Sequence, residues 1–329
     1  MPIVTLSSGK TFESRDGESL LDAALRAGIT LPYSCRTGRC GSCKGSVSSG
    51  HTVALHHELD LSDAERSAGA ILTCVRSATC DVDLAIEDLG DARLAPARTW
   101  PCRVQSIERL APDVVRVMLR LPPTSEFSFL AGQYVDVIGH GGLRRSYSVA
   151  GTIAAGKQIE LHIRQVPGGA MSEYWFAGAR PNDLLRLHGP LGTFFVRETE
   201  GLDLVFLATG TGIAPVKAML EDLALRERQP RSITVYWGGR VPSDLYWTPQ
   251  LGAATHRFVP VLSRAADDWA GVRGHVQHVL LEDGFAAGST VVYACGSEAM
   301  IHGARALLLD AGLPVHGFHS DAFVSSAPA

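Results

Sequence analysis

The chain has no excess of basic residues: 30 Lys and Arg stand against 34 Asp and Glu, a formal net charge of -4. With no general basic field and no local Lys/Arg run, nucleic acid is excluded as the expected partner. No apolar run approaches the roughly 18 residues that span a bilayer. The opening Met1-Pro2-Ile3-Val4-Thr5-Leu6-Ser7 lacks a basic stretch ahead of an apolar one. A cytoplasmic protein without membrane association is therefore expected. Internal repeats and low-complexity tracts are also missing.

What is present points to several folded domains. A chain of 329 residues with 46% hydrophobic and 19% charged residues exceeds one ordinary core, and three domains are expected. Residues 1–90 combine a short strand, Ile3 to Leu6, a helix over Ser19 to Ala27 and a Gly/Ser/Cys loop, a small α+β unit. Residues 91–99 contain Pro96 and lack apolar periodicity, which reads as a linker. Residues 100–200 alternate, as in Val114 to Leu121 and Gln158 to Ile163, the pattern of an antiparallel barrel. Residues 201–329 alternate strands (Leu204 to Ala208, Ile233 to Trp237, Val291 to Ala294) with helices (Val216 to Arg228, Met300 to Ala311). That order implies a parallel sheet with covered faces, so the whole is a multidomain α+β and α/β protein.

Seven cysteines, an odd number, argue against a disulfide framework. Four of them, Cys35, Cys40, Cys43 and Cys74, form Cys-x4-Cys-x2-Cys with the fourth thirty residues on, the plant-type [2Fe-2S] spacing. Thiolates suit iron and sulfide, and Gly38, Gly41 and Gly45 let backbone N–H groups reach the sulfurs. A four-cysteine zinc site is the alternative, but it usually shows two short Cys-x-x-Cys pairs. Cys80 and Cys102 fall outside the spaced set and read as buried thiols.

Two further stretches suit a phosphate-bearing ring cofactor. In Arg144-Arg145-Ser146-Tyr147-Ser148, Arg145 can pair with phosphate and Tyr147 can pack on a flat ring. In Val166-Pro167-Gly168-Gly169-Ala170-Met171-Ser172, glycines free backbone donors and Ser172 is expected to start a helix whose N-terminus receives a pyrophosphate. Here the chain resembles the ferredoxin-NAD(P)+ reductase superfamily. The resemblance implies a β-grasp ferredoxin domain, a β-barrel flavin domain and a nucleotide-binding domain. It also implies that Arg145, Ser146, Tyr147 and Ser148 meet the flavin, Gly168, Gly169, Met171 and Ser172 approach its phosphates, and His162, Ile163 and Arg164 line it. FAD is expected because related reductases with an N-terminal ferredoxin domain generally use it.

A third stretch, Thr209-Gly210-Thr211-Gly212-Ile213-Ala214-Pro215, lies between a strand and a helix, where phosphate meets the positive end of the helix dipole. It departs from the Rossmann fingerprint but matches the superfamily's pyridine-nucleotide loop. By that resemblance Gly210, Thr211, Gly212, Pro215, Gly238, Arg240, Cys295, Gly296 and Met300 contact the nicotinamide nucleotide. Cys295, near the hydride path, is expected to act with Tyr147 and Ser148 in catalysis, and Phe323 to cover the flavin or pack as a tail. NADH is favoured over NADPH, since the stretch after Trp237 offers one arginine, Arg240, and the acid Asp244.

Finer likeness, in Gly69 to Cys74, Leu119 to Thr124, Gly192 to Glu198, Ala214 to Lys217 and Ser320 to Val324, resembles the CDP-6-deoxy-delta-3,4-glucoseen reductase (CDP-4-dehydro-6-deoxyglucose reductase) family. It implies a relay from NADH to FAD to the cluster to a partner dehydratase. The reductase of a Rieske oxygenase is the enzyme alternative, and a non-catalytic electron carrier or binding module is the alternative of another class.

Overall fold

The structure is a computed structural model that describes residues 1–90, 92, 94–152, 157–249 and 256–324; Asp91 and Arg93 of the expected linker lie outside the described residues. Two compact units emerge, residues 1–94 with 324–329, and residues 95–323. No helix among the described residues is long and apolar enough to cross a membrane.

In the first unit, β1 (Ile3–Leu6) and β2 (Thr11–Glu13) form a hairpin, followed by α1 (Leu20–Arg26). Ser19 caps α1, its Oγ accepting from Asp22 N at 3.0 Å, so the helix starts where a hydroxyl can satisfy a free N–H. Then come β3 (Lys44–Ser49), β4 (Thr52–Ala54), α2 (Asp63–Ser67), β5 (Ala70–Leu72), β6 (Arg76–Ala78) and β7 (Val82–Ala85). The main sheet has the order β2-β1-β7-β3-β5, with β1 and β7 parallel. Leu20, Leu21, Ala23 and Ala24 of α1 are buried in one core with Val4, Leu6, Leu72 and Leu84. A helix packed across a mixed sheet in this order is a β-grasp.

The second unit begins with β8 (Arg98–Ala111), which opens inside the stretch read as linker. It continues through β9 (Val114–Arg120), β10 (Tyr134–Ile138), β11 (Arg144–Ser148), β12 (Gln158–Arg164), α3 (Ala170–Glu173) and β13 (Leu184–Leu191). The antiparallel order β11-β10-β13-β8-β9-β12 is closed by a bridge between Val149 and Leu161, which makes it a barrel. Ile159, Leu161 and Ile163 point into its core, while Glu160, His162 and Arg164 lie on the other face of β12.

A second lobe of the same unit holds β14 (Asp203–Thr209), α4 (Ile213–Leu223), β15 (Ser232–Gly239), β16 (His256–Leu262), β17 (Val272–Arg273), α5 (Val276–Asp283), β18 (Thr290–Ser297), α6 (Glu298–Asp310) and β19 (Phe318–Phe323). All six strands run parallel in the order β17-β16-β15-β14-β18-β19. The chain leaves β14 toward one edge and returns to β18 on its other side. That reversal makes a topological switch point, where such sheets bind ligands beyond their strand ends. Helix α4 begins three residues before the expected start because Pro215, in its first turn, needs no hydrogen-bond partner for its nitrogen. It ends at Leu223, well short of Arg228.

Candidate redox-cofactor sites

The cysteine loop joins α1 to β3, and Cys74 follows β5 in a tight turn over Thr73–Val75. Gly38 and Gly41 have φ of 72° and 68°; a Cβ on Gly38 would stand 2.5 Å from the His57 carbonyl, and one on Gly41 would overlap the Asp60 carboxylate. Only glycine fits those two turns. The sulfurs gather in pairs. Cys43 Sγ lies 3.2 Å from Cys74 Sγ, and Cys35 shares a thiol hydrogen bond with Cys40. Among the described residues no three His, Cys, Asp or Glu side chains close on one metal position. Two thiol pairs suit a two-iron cluster with two thiolates per iron.

Backbone donors also converge on the sulfurs: Thr37 N lies 3.4 Å from Cys35 Sγ, and Cys35 N lies 3.5 Å from Cys40 Sγ. The Cys40 thiol, with the Thr37 and Arg39 N–H groups, holds Cys35 down at about 5 against its burial. Within each pair one thiol is held low by its partner's hydrogen bond, Cys35 and Cys74, while the partner's hydrogen bond and burial push the other, Cys40 and Cys43, well up. Cys102 is the buried thiol expected, pushed up to about 12 by burial, but Cys80 is exposed rather than buried; neither joins the set.

On the barrel, Tyr147 is half-buried, and its phenolic oxygen accepts from Trp175 Nε1 at 3.2 Å. Burial pushes the phenol up to about 12. Ser148 is buried beside it, and the Arg145 guanidinium donates to the Arg144 carbonyl at 2.7 Å. Gly168 has φ 71° and open space where a Cβ would stand, so the loop leaves room for a phosphate. These residues fit the flavin.

Five residues expected at the barrel's cofactor are engaged within the protein itself. Ser146 Oγ is engaged by Asp136, which also holds Arg144 Nε at 2.7 Å, so this hydroxyl serves the strand pair. Ser172 does not start the helix; Gly169 precedes α3, and Ser172 Oγ accepts from Val166 N at 2.9 Å to close the loop. Met171 and Ile163 are core side chains, a consequence of the alternation along β12 and of α3 packing on the barrel. His162 is buried, with Nε2 2.8 Å from Glu160 Oε1 and Nδ1 3.3 Å from the Tyr246 hydroxyl.

At the switch point, Gly210, Thr211 and Gly212 lead from β14 into α4, and Cys295 and Gly296 end β18 beside them. A Cβ on Gly212 would overlap the Cys295 carbonyl, so this glycine brings the two strand ends together. Gly210 has φ 55°, and its Cβ would stand 2.8 Å from Arg164 Nη1, which sets an arginine of the barrel against the nucleotide loop. Trp237 Nε1 donates to Gly210 O at 2.9 Å. Pro215 and Met300 are buried in the first turns of α4 and α6, and Gly238 packs against Val276 and Thr209.

Cys295 is fully buried, and burial together with Asp321 pushes its thiol well above the usual range. It is therefore held as a neutral thiol, not a nucleophile. Asp244 is buried too. Its carboxylate takes Arg240 N at 2.7 Å and Arg164 Nη2 at 3.2 Å, so it orders two arginines and does not stand open to a ribose. Phe323 ends β19 opposite Ser297, more than a third exposed. Glycine-lined strand ends at a helix N-terminus, with Arg164 against the loop, fit a dinucleotide.

Three sites of this kind in one chain define an iron-sulfur flavoprotein reductase. Residues 4–79 match the family model of the 2Fe-2S iron-sulfur cluster binding domain, 101–196 that of the oxidoreductase FAD-binding domain, and 206–306 that of the oxidoreductase NAD-binding domain. The CDP-6-deoxy-L-threo-D-glycero-4-hexulose-3-dehydrase reductase of Yersinia pestis is 40% identical over 97% of each chain. Reductase component 2 of the terephthalate 1,2-dioxygenase of Comamonas sp is 35% identical over 95% of this chain and 94% of its own. The crystal structure of the Amycolatopsis cytochrome P450 reductase GcoB aligns with a TM-score of 0.77 at 31% identity, covering 99% of this chain and 100% of that one. The chain belongs to the CDP-6-deoxyhexulose-3-dehydrase reductase family of the ferredoxin-NAD(P)+ reductase superfamily. It is an NAD(P)H-dependent oxidoreductase with a [2Fe-2S] cluster, FAD and NAD(H) as cofactors, passing electrons to a partner protein.

Proposed function

We propose that the partner is the dehydratase that deoxygenates a CDP-linked sugar on the way to a 3,6-dideoxyhexose. The observation that carries this reading is near-full-length identity of 40% to the hexulose-3-dehydrase reductase, against 35% to the dioxygenase reductase component. That second likeness keeps one alternative in play, reduction of a ring-hydroxylating oxygenase. FAD and NAD-binding domains leave a bare carrier without a use for most of the chain.

Bound flavin supplies the change from two-electron hydride chemistry to one-electron transfer, and the protein supplies binding and order. Under this reading residues 1–90 hold the cluster through Cys35, Cys40, Cys43 and Cys74, residues 100–200 hold FAD and residues 201–329 hold NADH. Tyr147 packs on the flavin ring with Ser148 beside it, and Arg145 and the Gly168-Gly169 backbone take its phosphates. Gly210, Thr211 and Gly212 receive the dinucleotide. Cys295 and Gly296 border the nicotinamide, where a neutral, buried thiol excludes water without competing for the hydride. The acceptor-side test mixes the purified holoprotein and NADH with either a sugar-loaded, pyridoxamine-dependent dehydratase or a Rieske oxygenase. Deoxygenated CDP-sugar is expected from the first mixture; turnover of the oxygenase alone would refute the sugar assignment.

A further inference from the structure

The flavin barrel and the nucleotide lobe each carry one partner of the hydride transfer, so the reaction depends on how the two are held. Hydride donor and acceptor must approach to about 3–3.5 Å, and a 1 Å misplacement can cost about 10²-fold in rate. Three ionic side chains meet at the seam, none of them among the cofactor-binding residues expected from the sequence. Lys217, in the second turn of α4, has Nζ 2.9 Å from the Ala150 carbonyl, 3.2 Å from Glu160 Oε2 and 2.7 Å from Glu221 Oε1. Glu221 in turn accepts from Thr152 N at 2.9 Å. Ala150 and Thr152 directly follow the flavin strand β11, and α4 directly follows the nucleotide loop.

Gly151 lies beneath this cluster. A Cβ there would stand 3.1 Å from Glu221 Oε2, 3.4 Å from Lys217 Nζ and 3.6 Å from Glu160 Oε2. The missing side chain lets all three groups close on the backbone. A solvated i,i+4 pair would contribute little. The Lys217 side chain is only 14% exposed, however, and two of its three contacts cross to the barrel. The other oxygen of Glu160 takes His162, so the carboxylate fixes the imidazole with its proton on Nε2, and the Tyr246 hydroxyl from the nucleotide lobe donates to Nδ1. One carboxylate thus connects both crossings of the seam.

We propose that Lys217, Glu160 and Glu221, closed over Gly151, form a positioning cluster that sets the nicotinamide loop against the flavin strand for hydride transfer. The inference rests on the NADH-to-FAD step of the established class. Removing the ammonium leaves both carboxylates without their shared counter-ion and frees α4 from Ala150. The nicotinamide then binds but samples poor geometries.

Stopped-flow reduction of the holoprotein's flavin by NADH and by 4-deuterated NADH tests this. Lys217→Met is expected to lower the limiting reduction rate at least tenfold, to shift the apparent Kd for NADH less than threefold, and to change the deuterium isotope effect. Lys217→Arg is expected to recover the rate to within threefold. Gly151→Ala, which displaces the cluster by a few tenths of an ångström, is expected to give a partial loss while FAD content and the cluster spectrum stay intact. That variant answers the question if Lys217→Met loses its flavin. Wild-type rate and isotope effect in FAD-loaded Gly151→Ala and Lys217→Met would overturn the proposal, as would a loss confined to Kd. Failure of NADH to bleach the wild-type flavin would instead strike at the functional class.

Discussion

The hydroxyl of Thr209 fills the place where a Cβ on Gly296 would stand, and it accepts the Ser297 N–H at 3.2 Å. Two strand ends of the nucleotide lobe are thereby locked at the switch point. Gly296 also has φ 146°, within the range that L side chains rarely adopt. Gly296→Ala combines overlap with backbone strain, and about 1–3 kcal/mol of stability should be lost. Because α6 starts at this corner, the KM for NADH should rise about tenfold or more. Thermal unfolding and steady-state kinetics of the holoprotein measure both; an unchanged KM would show that this corner lies away from the nucleotide.

The paired thiols predict that the two electron-transfer stages can be separated. Cys43→Ala removes a sulfur from the Cys43–Cys74 pair, and the thiolate set for one iron is broken. Iron content and the cluster's visible absorbance should vanish while FAD remains. NADH should still drive reduction of ferricyanide, but one-electron reduction of a protein acceptor should fall by more than 100-fold. Retained acceptor turnover in the iron-free variant would place the exit elsewhere.

How far the sequence could be read depended on how far apart the cooperating residues stand. Cys35, Cys40 and Cys43 share one loop, so their spacing states their chemistry, and the sharp turns at Gly38 and Gly41 follow from it. The barrel and parallel sheet were legible through their alternation patterns. Alternation along β12 also separates core-facing Ile163 from His162 and Arg164, a distinction that a motif comparison overlooks. The seam cluster was not legible. Lys217 and Glu221 look like a surface helix pair, and their partners Glu160 and Ala150 lie 57 and 67 residues from Lys217. Only the packing of lobe on barrel brings them together. The contact of Asp244 with Arg164 was hidden for the same reason, since the two lie 80 residues apart.

Trp175 and Tyr147 predict how the flavin face is held. The indole N–H donates to the phenol at 3.2 Å, which fixes the ring that the barrel presents. Trp175→Phe keeps most of the packing but removes the donor, leaving the half-buried phenol oxygen without it. A loss of about 1–2 kcal/mol is expected, seen as a roughly five- to thirty-fold weaker FAD affinity. Tyr147→Phe should weaken FAD at least as much, since it leaves the buried Trp175 N–H without its acceptor. Fluorescence titration of the deflavinated protein with FAD gives both constants, and equal affinity in Trp175→Phe and wild type would detach this hydrogen bond from the flavin.

His319 predicts a pH dependence confined to the nucleotide lobe. Its ring stands 5.0 Å from that of Tyr293, and burial, with the positive charge of Arg197 and His316 nearby, lowers its pKa from 6.5 to about 3. The folded protein therefore keeps this imidazole neutral at pH values where the unfolded chain has already bound a proton. Its contribution to stability is complete above about 6.5 and is lost as the pH falls from there toward 3, at up to about 1.4 kcal/mol per pH unit. His319→Phe retains a ring against Tyr293 and removes the proton. Between pH 7.5 and 5.5 the melting temperature of the wild type should drop by more than that of the variant, followed by near-ultraviolet circular dichroism so that cluster loss is not the signal. Parallel pH profiles for the two proteins would mean that the ring is hydrated in solution and titrates normally.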